Sequence, residues 1–537
     1  MLRSAIPSRA PNAAASRSRS ASHLPASLST STSAPPPPPI PSVYTQPPVS
    51  SYSSANSSPA WSDPAYLARY RDPIRHDVRP FETSTRPRQA GEKSSNRNNG
   101  RVRRNRLEME ALWSGGDCSP PIPLESCRAQ TTRPKHALLF PGSGSQYVGM
   151  GRFLRNEQAA NDVWAEAEDA LEGFEQWRRD LKLHEMDGEL GELGRMLDAT
   201  ETKRGKEASL REVVFDGPQD LLTRSSTAQP AILITSLAFL RALEKERGIP
   251  VAHTSSLILG HSSGEYSAAV AAGALSLPDG VRLTRLHGLL THHALSLPSI
   301  GLSPDKDAPP SLRGQMSALL LNPLYPGDSH AELTKVIRQI RAERSSQRGS
   351  EGTVEVASFN SRTQVVLAGS RDGILRASEV LRELEIASRA ADLPVSAPFH
   401  CSFMKPAAQG MQVALTSPSV AIHTPSSPLV SGLDASLITS PSSLVSNLVS
   451  QISLPVRWST CLASLPTQHD VKRLIFLGPG QALANLARRD AKLAKEAEIA
   501  AGKRGDGDEQ HDTDVISVAT EKDMDQLKER WEEEDGA

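Results

Sequence analysis

The feature that most constrains this chain is the segment from position 257 to position 273. An apolar stretch, LILG, runs through GHSSG at 260–264 into an alanine-rich stretch. A strand that leads through G-x-S-x-G into a helix is the context of a nucleophile elbow, a tight turn that presents its serine at the helix N-terminus. There the helix dipole favours developing negative charge. The segment predicts that Ser262 is a nucleophile, although a plain strand-to-helix turn has the same letters.

A serine hydroxyl is a poor nucleophile at neutral pH and needs a general base. Among the 14 histidines, His400 is the best candidate because it lies in an apolar, proline-braced segment, LPVSAPFHCSFM at 393–404, that would hold an imidazole rigidly. His261 adjoins the serine, so its side chain is expected to point away and to pack or form hydrogen bonds. His292 and His293 fall on a helical stretch predicted to be exposed and are expected to have no chemical role.

A glycine-rich loop, PGSGSQ at 141–146, follows a short apolar strand, HALLF at 136–140. It resembles a phosphate-binding turn but fits neither nucleotide-binding pattern. The pattern GxGxxG would need glycine at Tyr147, and the P-loop would need lysine at Met150. The glycines are therefore expected to let backbone N–H groups approach some other ligand.

Several segments together resemble the malonyl-CoA:acyl carrier protein transacylase family, in that family's order, between about residues 135 and 520. The matching segments are FPGSGSQ at 140–146, TAQPA at 227–231, GHSSGEY at 260–266, FNS at 359–361, QVVLAG at 364–369, residues 393–404, PVRW at 455–458 and GPG at 478–480.

The resemblance implies a discrete enzyme that moves a malonyl group from malonyl-CoA to the phosphopantetheine thiol of acyl carrier protein through an acyl-serine, for fatty acid synthesis. It implies no metal or redox cofactor. The residues that it assigns are the nucleophile Ser262, the base His400, the backbone carbonyl of Gln451 that orients this base, the backbone N–H donors of Ser143 and Ser263 for the oxyanion, and the substrate-binding residues Gln229, His287 and Asn360.

Three positions depart from the family's pattern. Ser143 replaces the glutamine of GQG and Ser263 replaces a leucine, but both donors are main chain, so little loss is expected. His287 stands where the family places an arginine that pairs with the malonyl carboxylate. Arginine offers a permanent, bidentate charge, whereas histidine is only partly charged near neutral pH. Arg285 would project from a different helix face, so malonyl selectivity is open.

The pattern between the serine and His400 predicts an inserted subdomain of order βαββαβ, which is ferredoxin-like. Its predicted strands are 315–321, 353–358, 363–368 and 387–393, and its helices 329–344 and 374–384. The fold class is α/β, with an α/β-hydrolase-like large domain around this insert.

Helices are also expected at 161–174 and 230–243, the latter with Gln229 at its entrance, and a surface insertion at 183–211. The predicted segments are 1–62 (transit peptide and Ser/Pro-rich stretch), 63–134 (linker), 135–313 and 393–491 (large domain), 314–392 (small domain), 492–514 (flexible and charged) and 515–537 (strand, helix and acidic end).

Composition narrows the function classes further. The formal charge of −1 gives no general attraction to nucleic acid or anionic lipid, and the longest nearly apolar run, 230–240, is far below the roughly 20 residues of a membrane span. The four cysteines show no zinc-binding spacing.

Residues 1–62 contain arginines and serines but no Asp or Glu, which is typical of an organelle transit peptide. We expect a mitochondrial matrix protein that is a monomer, has no membrane span and binds no nucleic acid.

Three other functions fit parts of the pattern. An α/β-hydrolase esterase or thioesterase shares G-x-S-x-G but expects an acid between serine and histidine in chain order. An acyltransferase unit of polyketide-type synthesis would normally accompany ketosynthase or carrier segments, which this sequence lacks. A non-enzymatic scaffold could have kept the fold, with His287 as one sign of lost substrate selection.

Overall fold

The structure is a computed structural model of the chain. It describes residues 134–201, 209–303, 309, 312–344, 353–502 and 512–536. The predicted transit peptide and nearly all of the predicted linker lie outside the described residues.

The described residues form two sheets and their flanking helices. The strands are β1 (His136–Phe140), β2 (Leu257–Gly260), β3 (Gly314–Leu321), β4 (Val354–Ser361), β5 (Gln364–Ser370), β6 (Ala387–Asp392), β7 (Leu429–Val430), β8 (Leu437–Ile438), β9 (Arg473–Leu477) and β10 (Asp514–Val518). The helices are α1 (Gln158–Glu172), α2 (Phe174–Asp180), α3 (Gly188–Glu201), α4 (Leu210–Asp216), α5 (Gln219–Leu222), α6 (Ser225–Lys245), α7 (Val251–Thr254), α8 (Gly264–Ala271), α9 (Leu277–Ala294), α10 (Ser329–Arg344), α11 (Arg371–Glu383), α12 (Lys405–Leu415), α13 (Pro441–Ser450), α14 (Trp458–His469), α15 (Ala482–Ala500) and α16 (Glu521–Gly536).

The larger sheet has the strand order β10-β9-β1-β2-β7-β8. Its strands pair in parallel except for β8, which runs antiparallel to β7. β1, β2 and β9 are buried along their whole length, as expected of parallel strands that are covered on both faces. Along β1, Leu138 and Phe140 enter one core cluster while Ala137 and Leu139 enter another. This alternation shows that β1 separates two apolar layers.

The register of β1 and β2 places the two glycine-rich loops side by side. Phe140 is paired with Gly260, the last residue of each strand. Because parallel strands end at the same edge of a sheet, the loop at 141–146 and the turn that contains Ser262 leave the sheet together.

The smaller sheet is antiparallel, with the order β4-β5-β3-β6. Its elements follow in the chain as β3, α10, β4, β5, α11 and β6. One face packs on α10 and α11 through its own core cluster, while residues of the other face, such as Met316 and Ala368, belong to the main core. Backbone hydrogen bonds from Phe359 N–H to the Val456 carbonyl (2.8 Å) and from Val456 N–H to the Ala357 carbonyl (2.9 Å) tie β4 to the large domain. The structure is therefore a large α/β domain joined closely to a small one.

Three predicted segments differ from the structure. The region 183–211 was expected to be a surface insertion with little periodicity, but α3 buries Leu193 and Leu197 in the main core. The flexible segment predicted at 492–514 is helical in its first part, because α15 continues to Ala500. Gln229 lies one turn inside α6 rather than at its entrance. Helix α6 thus begins before the apolar run at 230–243 that signalled it, because helix boundaries depend on packing as well as on local pattern.

Helix α6 is long and apolar enough to cross a bilayer, yet 89% of an 18-residue apolar stretch within it is buried inside the protein. It packs against α1, α8 and α9. The apolarity of α6 is explained by its place at the centre of the large domain.

Candidate active site

The turn after β2 has the backbone geometry of a nucleophile elbow. Ser262 adopts a left-handed conformation with φ of 55°. A Cβ at Gly260 would lie 2.0 Å from the Gly264 carbonyl carbon, and a Cβ at Gly264 would lie 2.6 Å from the Phe140 carbonyl oxygen. Both contacts are far below any allowed separation, so both positions require glycine. The strained serine is thus held by packing between the ends of β1 and β2.

Ser262 is hydrogen-bonded to His400. The serine Oγ lies 2.6 Å from Nε2 of the imidazole, and Nδ1 of the same ring lies 2.6 Å from the Gln451 carbonyl oxygen. Because a carbonyl oxygen can only accept, Nδ1 carries the ring proton and Nε2 presents its lone pair to the serine hydroxyl. His400 itself has φ of 59° and donates its N–H to the Ile452 carbonyl at 3.2 Å. Two strained residues therefore face each other in fixed orientations.

The protonation state of His400 suits a base. Burial lowers the pKa of His400 to about 4, and the neighbouring His261 acts in the same direction, against the hydrogen bond to the Gln451 carbonyl. The imidazole is therefore neutral at physiological pH and can accept a proton.

The loop at 141–146 meets the turn through Ser143. The Ser143 N–H donates to the side-chain Oγ of Ser263 at 3.1 Å, and the two serine hydroxyls are 3.3 Å apart. In the described part of the chain the Ser263 N–H has no hydrogen-bond partner. Both predicted oxyanion donors thus lie beside Ser262, but one of them is engaged by a side chain that sequence reasoning treated as neutral. No sequence signal foretold this contact, because it depends on how two loops meet.

His261 links the turn to the small domain. Its Nε2 lies 2.9 Å from Oδ1 of Asn360, on β4, and the Asn360 amide donates to Gln364 on β5 at 3.1 Å. The imidazole also packs edge-on against Trp458, with ring centroids 5.2 Å apart. The side chain of Asn360, predicted to bind substrate, is buried and engaged with protein groups.

His287 on α9 and Gln229 on α6 are buried polar groups, and His287 lies close enough to His400 to feel its charge. Both ring nitrogens of His287 and Oε1 of Gln229 lack hydrogen-bond partners within the described residues. Burial lowers the pKa of His287 to about 3, with His400 as the second cause. The nearby Arg285 donates to the Ser226 carbonyl at 2.8 Å. The position where the resemblance places an arginine is therefore occupied by a neutral imidazole.

Glu265 is a buried carboxyl that sequence reasoning did not single out. It accepts the Gly432 N–H at 2.8 Å and the side-chain amide of Asn447. Burial raises the pKa of Glu265 to about 8, although these two donors oppose the shift. It fixes α8, and with it the turn, to the segment after β7. Within the ranges that the structure describes, no group of three or more His, Cys, Asp or Glu side chains could hold a metal ion.

In this site a strained serine is hydrogen-bonded to a neutral, oriented histidine and lies beside backbone donors at a helix N-terminus. Such an arrangement can form an ester on the serine oxygen and then cleave it. The fold and the site thus define an α/β protein of the nucleophilic-serine class. Residues 137–298 match the family model described as acyl transferase domain.

Known proteins narrow this class. The chain is 31% identical over 356 residues to the malonyl CoA-acyl carrier protein transacylase of Bacillus subtilis (strain 168), which covers 66% of this chain and 90% of that protein. The Salmonella typhimurium protein of the same name is 30% identical, over 66% of this chain and 92% of its own length. This chain belongs to the malonyl CoA-acyl carrier protein transacylase family.

Solved structures of malonyltransferases are also similar to this chain. The acyl-carrier-protein-S-malonyltransferase of Bartonella henselae is 29% identical with a TM-score of 0.54, covering 73% of this chain and 98% of that one. A malonyl-transacylase solved in complex with its type II polyketide acyl-carrier protein is 26% identical with a TM-score of 0.54, covering 74% and 99%.

Proposed function

We propose that this protein transfers a malonyl group from malonyl-CoA to the phosphopantetheine thiol of acyl carrier protein through an acyl-serine intermediate. The observation that carries the proposal is the hydrogen-bonded series from Ser262 through His400 to the Gln451 carbonyl, in a chain of this family. The substrates are those that the names of the relatives state for those proteins.

In the first half-reaction Ser262 Oγ attacks the thioester carbonyl while Nε2 of His400 takes the hydroxyl proton. The new C–O bond gives a tetrahedral oxyanion, which the backbone N–H of Ser263 and the Ser143 loop stabilise. Collapse of this intermediate breaks the C–S bond. The CoA thiolate leaves with the proton from His400, and Ser262 carries the acyl group.

In the second half-reaction the carrier's thiol takes the place of CoA. His400 Nε2 accepts the thiol proton, the sulfur attacks the ester carbonyl, and collapse returns the proton to Ser262 as the C–O bond breaks. The Gln451 carbonyl holds Nδ1–H throughout, so the imidazolium that forms in each step keeps its orientation. Neither step calls for a metal or a redox cofactor.

The finer architecture belongs to the same proposal. We assign the small domain to the ferredoxin-like class, and its βαββαβ order with strand order β4-β5-β3-β6 supports this. We describe the large domain as α/β-hydrolase-like, because its parallel sheet presents a serine on a strand-to-helix elbow.

The proposed setting is fatty acid synthesis in the mitochondrial matrix, by a monomer. The support for this location is the arginine- and serine-rich, acid-free composition of residues 1–62. Imaging a fluorescent fusion of the whole chain beside one that lacks residues 1–62 tests it: loss of mitochondrial signal in the shortened fusion is expected. Light scattering of the purified protein tests the monomer.

Competition among malonyl-, acetyl- and methylmalonyl-CoA, read by intact mass and by peptide mapping of the acylated residue, tests the function. We expect malonyl on Ser262 and its onward transfer to holo acyl carrier protein. Release of the acyl group to water at the same rate with and without the carrier would favour an esterase or thioesterase. No adduct at all would favour a scaffold without activity.

A further inference from the structure

Two hydroxyl groups lie at the oxyanion site where the mechanism uses only backbone donors. Ser143 N–H donates to Ser263 Oγ at 3.1 Å, and Ser143 Oγ is 3.3 Å from the same atom. Ser263 is 6% exposed, so its hydroxyl is shielded from bulk water. The hydroxyl therefore occupies the place where an oxyanion would have to lie to receive the Ser143 N–H directly.

The hydrogen-bonding capacity of this hydroxyl is only partly used. Its oxygen accepts from Ser143 N–H, and within the described residues the sole acceptor for its own proton is Ser143 Oγ, at the long distance of 3.3 Å. A hydroxyl that accepts from an N–H is polarised and becomes a better donor. The backbone N–H of Ser263 has no hydrogen-bond partner within the described residues. At a helix N-terminus, the N–H and the O–H of one serine can together bind one anionic oxygen.

We infer that the Ser263 side-chain hydroxyl is a catalytic donor of the oxyanion hole, which receives the Ser143 N–H and passes its own hydrogen bond to the oxyanion formed at Ser262. The second backbone donor then acts through this hydroxyl instead of touching the oxyanion. This inference rests on the proposed acyl transfer and concerns a side chain in that same site.

The test is single-turnover acylation by malonyl-CoA, followed as CoA release and as acyl adduct by intact mass. Ser263→Ala should lower the maximal acylation rate about tenfold or more, since removing one oxyanion donor usually costs more than this and the freed Ser143 amide recovers only part. The concentration of malonyl-CoA at half-maximal rate should stay within about twofold, because the donor acts on the transition state. Ser263→Thr keeps the hydroxyl and should restore most of the rate.

Ser267→Ala is the matched control. Ser267 lies on α8, one turn further along, is fully buried, and its Oγ has no partner within the described residues. It should acylate at the wild-type rate, and all variants should share the wild-type pH midpoint. Wild-type or faster acylation by Ser263→Ala would overturn the inference, as would equal losses in the alanine and threonine variants. If the wild-type protein itself gives no adduct, the proposed function fails instead.

Discussion

Ser262 Oγ and His400 Nε2 lie 2.6 Å apart, although 138 positions separate the two residues in the chain. Both have positive φ values, 55° and 59°. A non-glycine residue in this conformation costs about 1 kcal/mol or more and persists only where its surroundings enforce it. Both groups whose relative position the chemistry needs are thus strained.

Replacing either of these side chains should abolish the acyl-enzyme. Ser262→Ala has no nucleophile, and His400→Ala leaves the hydroxyl without a base, so acylation should fall by about 10³-fold or more. Intact mass after incubation with malonyl-CoA measures this. His423→Ala, at an exposed histidine, should behave as wild type. A stable malonyl adduct on Ser262→Ala would show that another residue is the nucleophile.

The pH profile should report the depressed pKa of His400. Since burial lowers this pKa to about 4, the base stays neutral above that value, and kcat/KM for acylation should be level from about pH 5 to neutrality and fall only on further acidification. Unfolding must be followed in parallel by circular dichroism. A midpoint near the ordinary histidine value of 6.5 would contradict the buried, neutral base.

Gln451 should act through its carbonyl alone. The side-chain Nε2 and Oε1 of Gln451 have no partners within the described residues, whereas its backbone oxygen holds His400 Nδ1 at 2.6 Å. Gln451→Ala keeps that oxygen and removes only a side chain that makes no hydrogen bond. The acylation rate should therefore change by less than about threefold, and its pH midpoint by less than about 0.3 units. A loss as large as that of His400→Ala would assign the side chain the orienting role.

His287→Arg should sharpen selectivity for malonyl over acetyl. The wild-type imidazole is neutral, while arginine would supply a permanent bidentate charge whose hydrogen bonds to a carboxylate are worth about 1.5–3 kcal/mol. The ratio of kcat/KM values for malonyl-CoA and acetyl-CoA should rise about tenfold or more. His423→Arg adds the same charge at an exposed site and should leave the ratio unchanged. An unaltered ratio in His287→Arg would place the acyl tail elsewhere.

Buried histidines should make the protein acid-sensitive. His287 has a folded-state pKa of about 3 against an ordinary value of 6.5, so between these values the unfolded chain binds a proton that the folded protein does not. Stability must therefore fall as pH drops from 6.5 toward 3, by about 1.4 kcal/mol per pH unit for each such group. His287→Phe should reduce the slope of unfolding free energy against pH in urea titrations. His423→Ala should not, and equal slopes in all three proteins would refute the assignment.

The local chemistry of the site was readable from the sequence. The apolar runs HALLF and LILG and the glycines of GHSSG are properties of neighbouring residues, and strand, turn and helix form from such neighbours. Ser262 and His400 could be singled out for the same reason, as could the order of the small domain's elements.

The tertiary structure decided which groups meet. The pairing of Phe140 with Gly260 brings the Ser143 amide to the Ser263 hydroxyl. Packing among helices buries His287 with no hydrogen-bond partner among the residues that the structure describes. A period or a motif describes one segment, while these contacts depend on the register and packing of segments far apart in the chain. The sequence therefore predicted Ser262 as the nucleophile and His400 as its base, and only the fold determined the hydrogen bonds and charges that surround them.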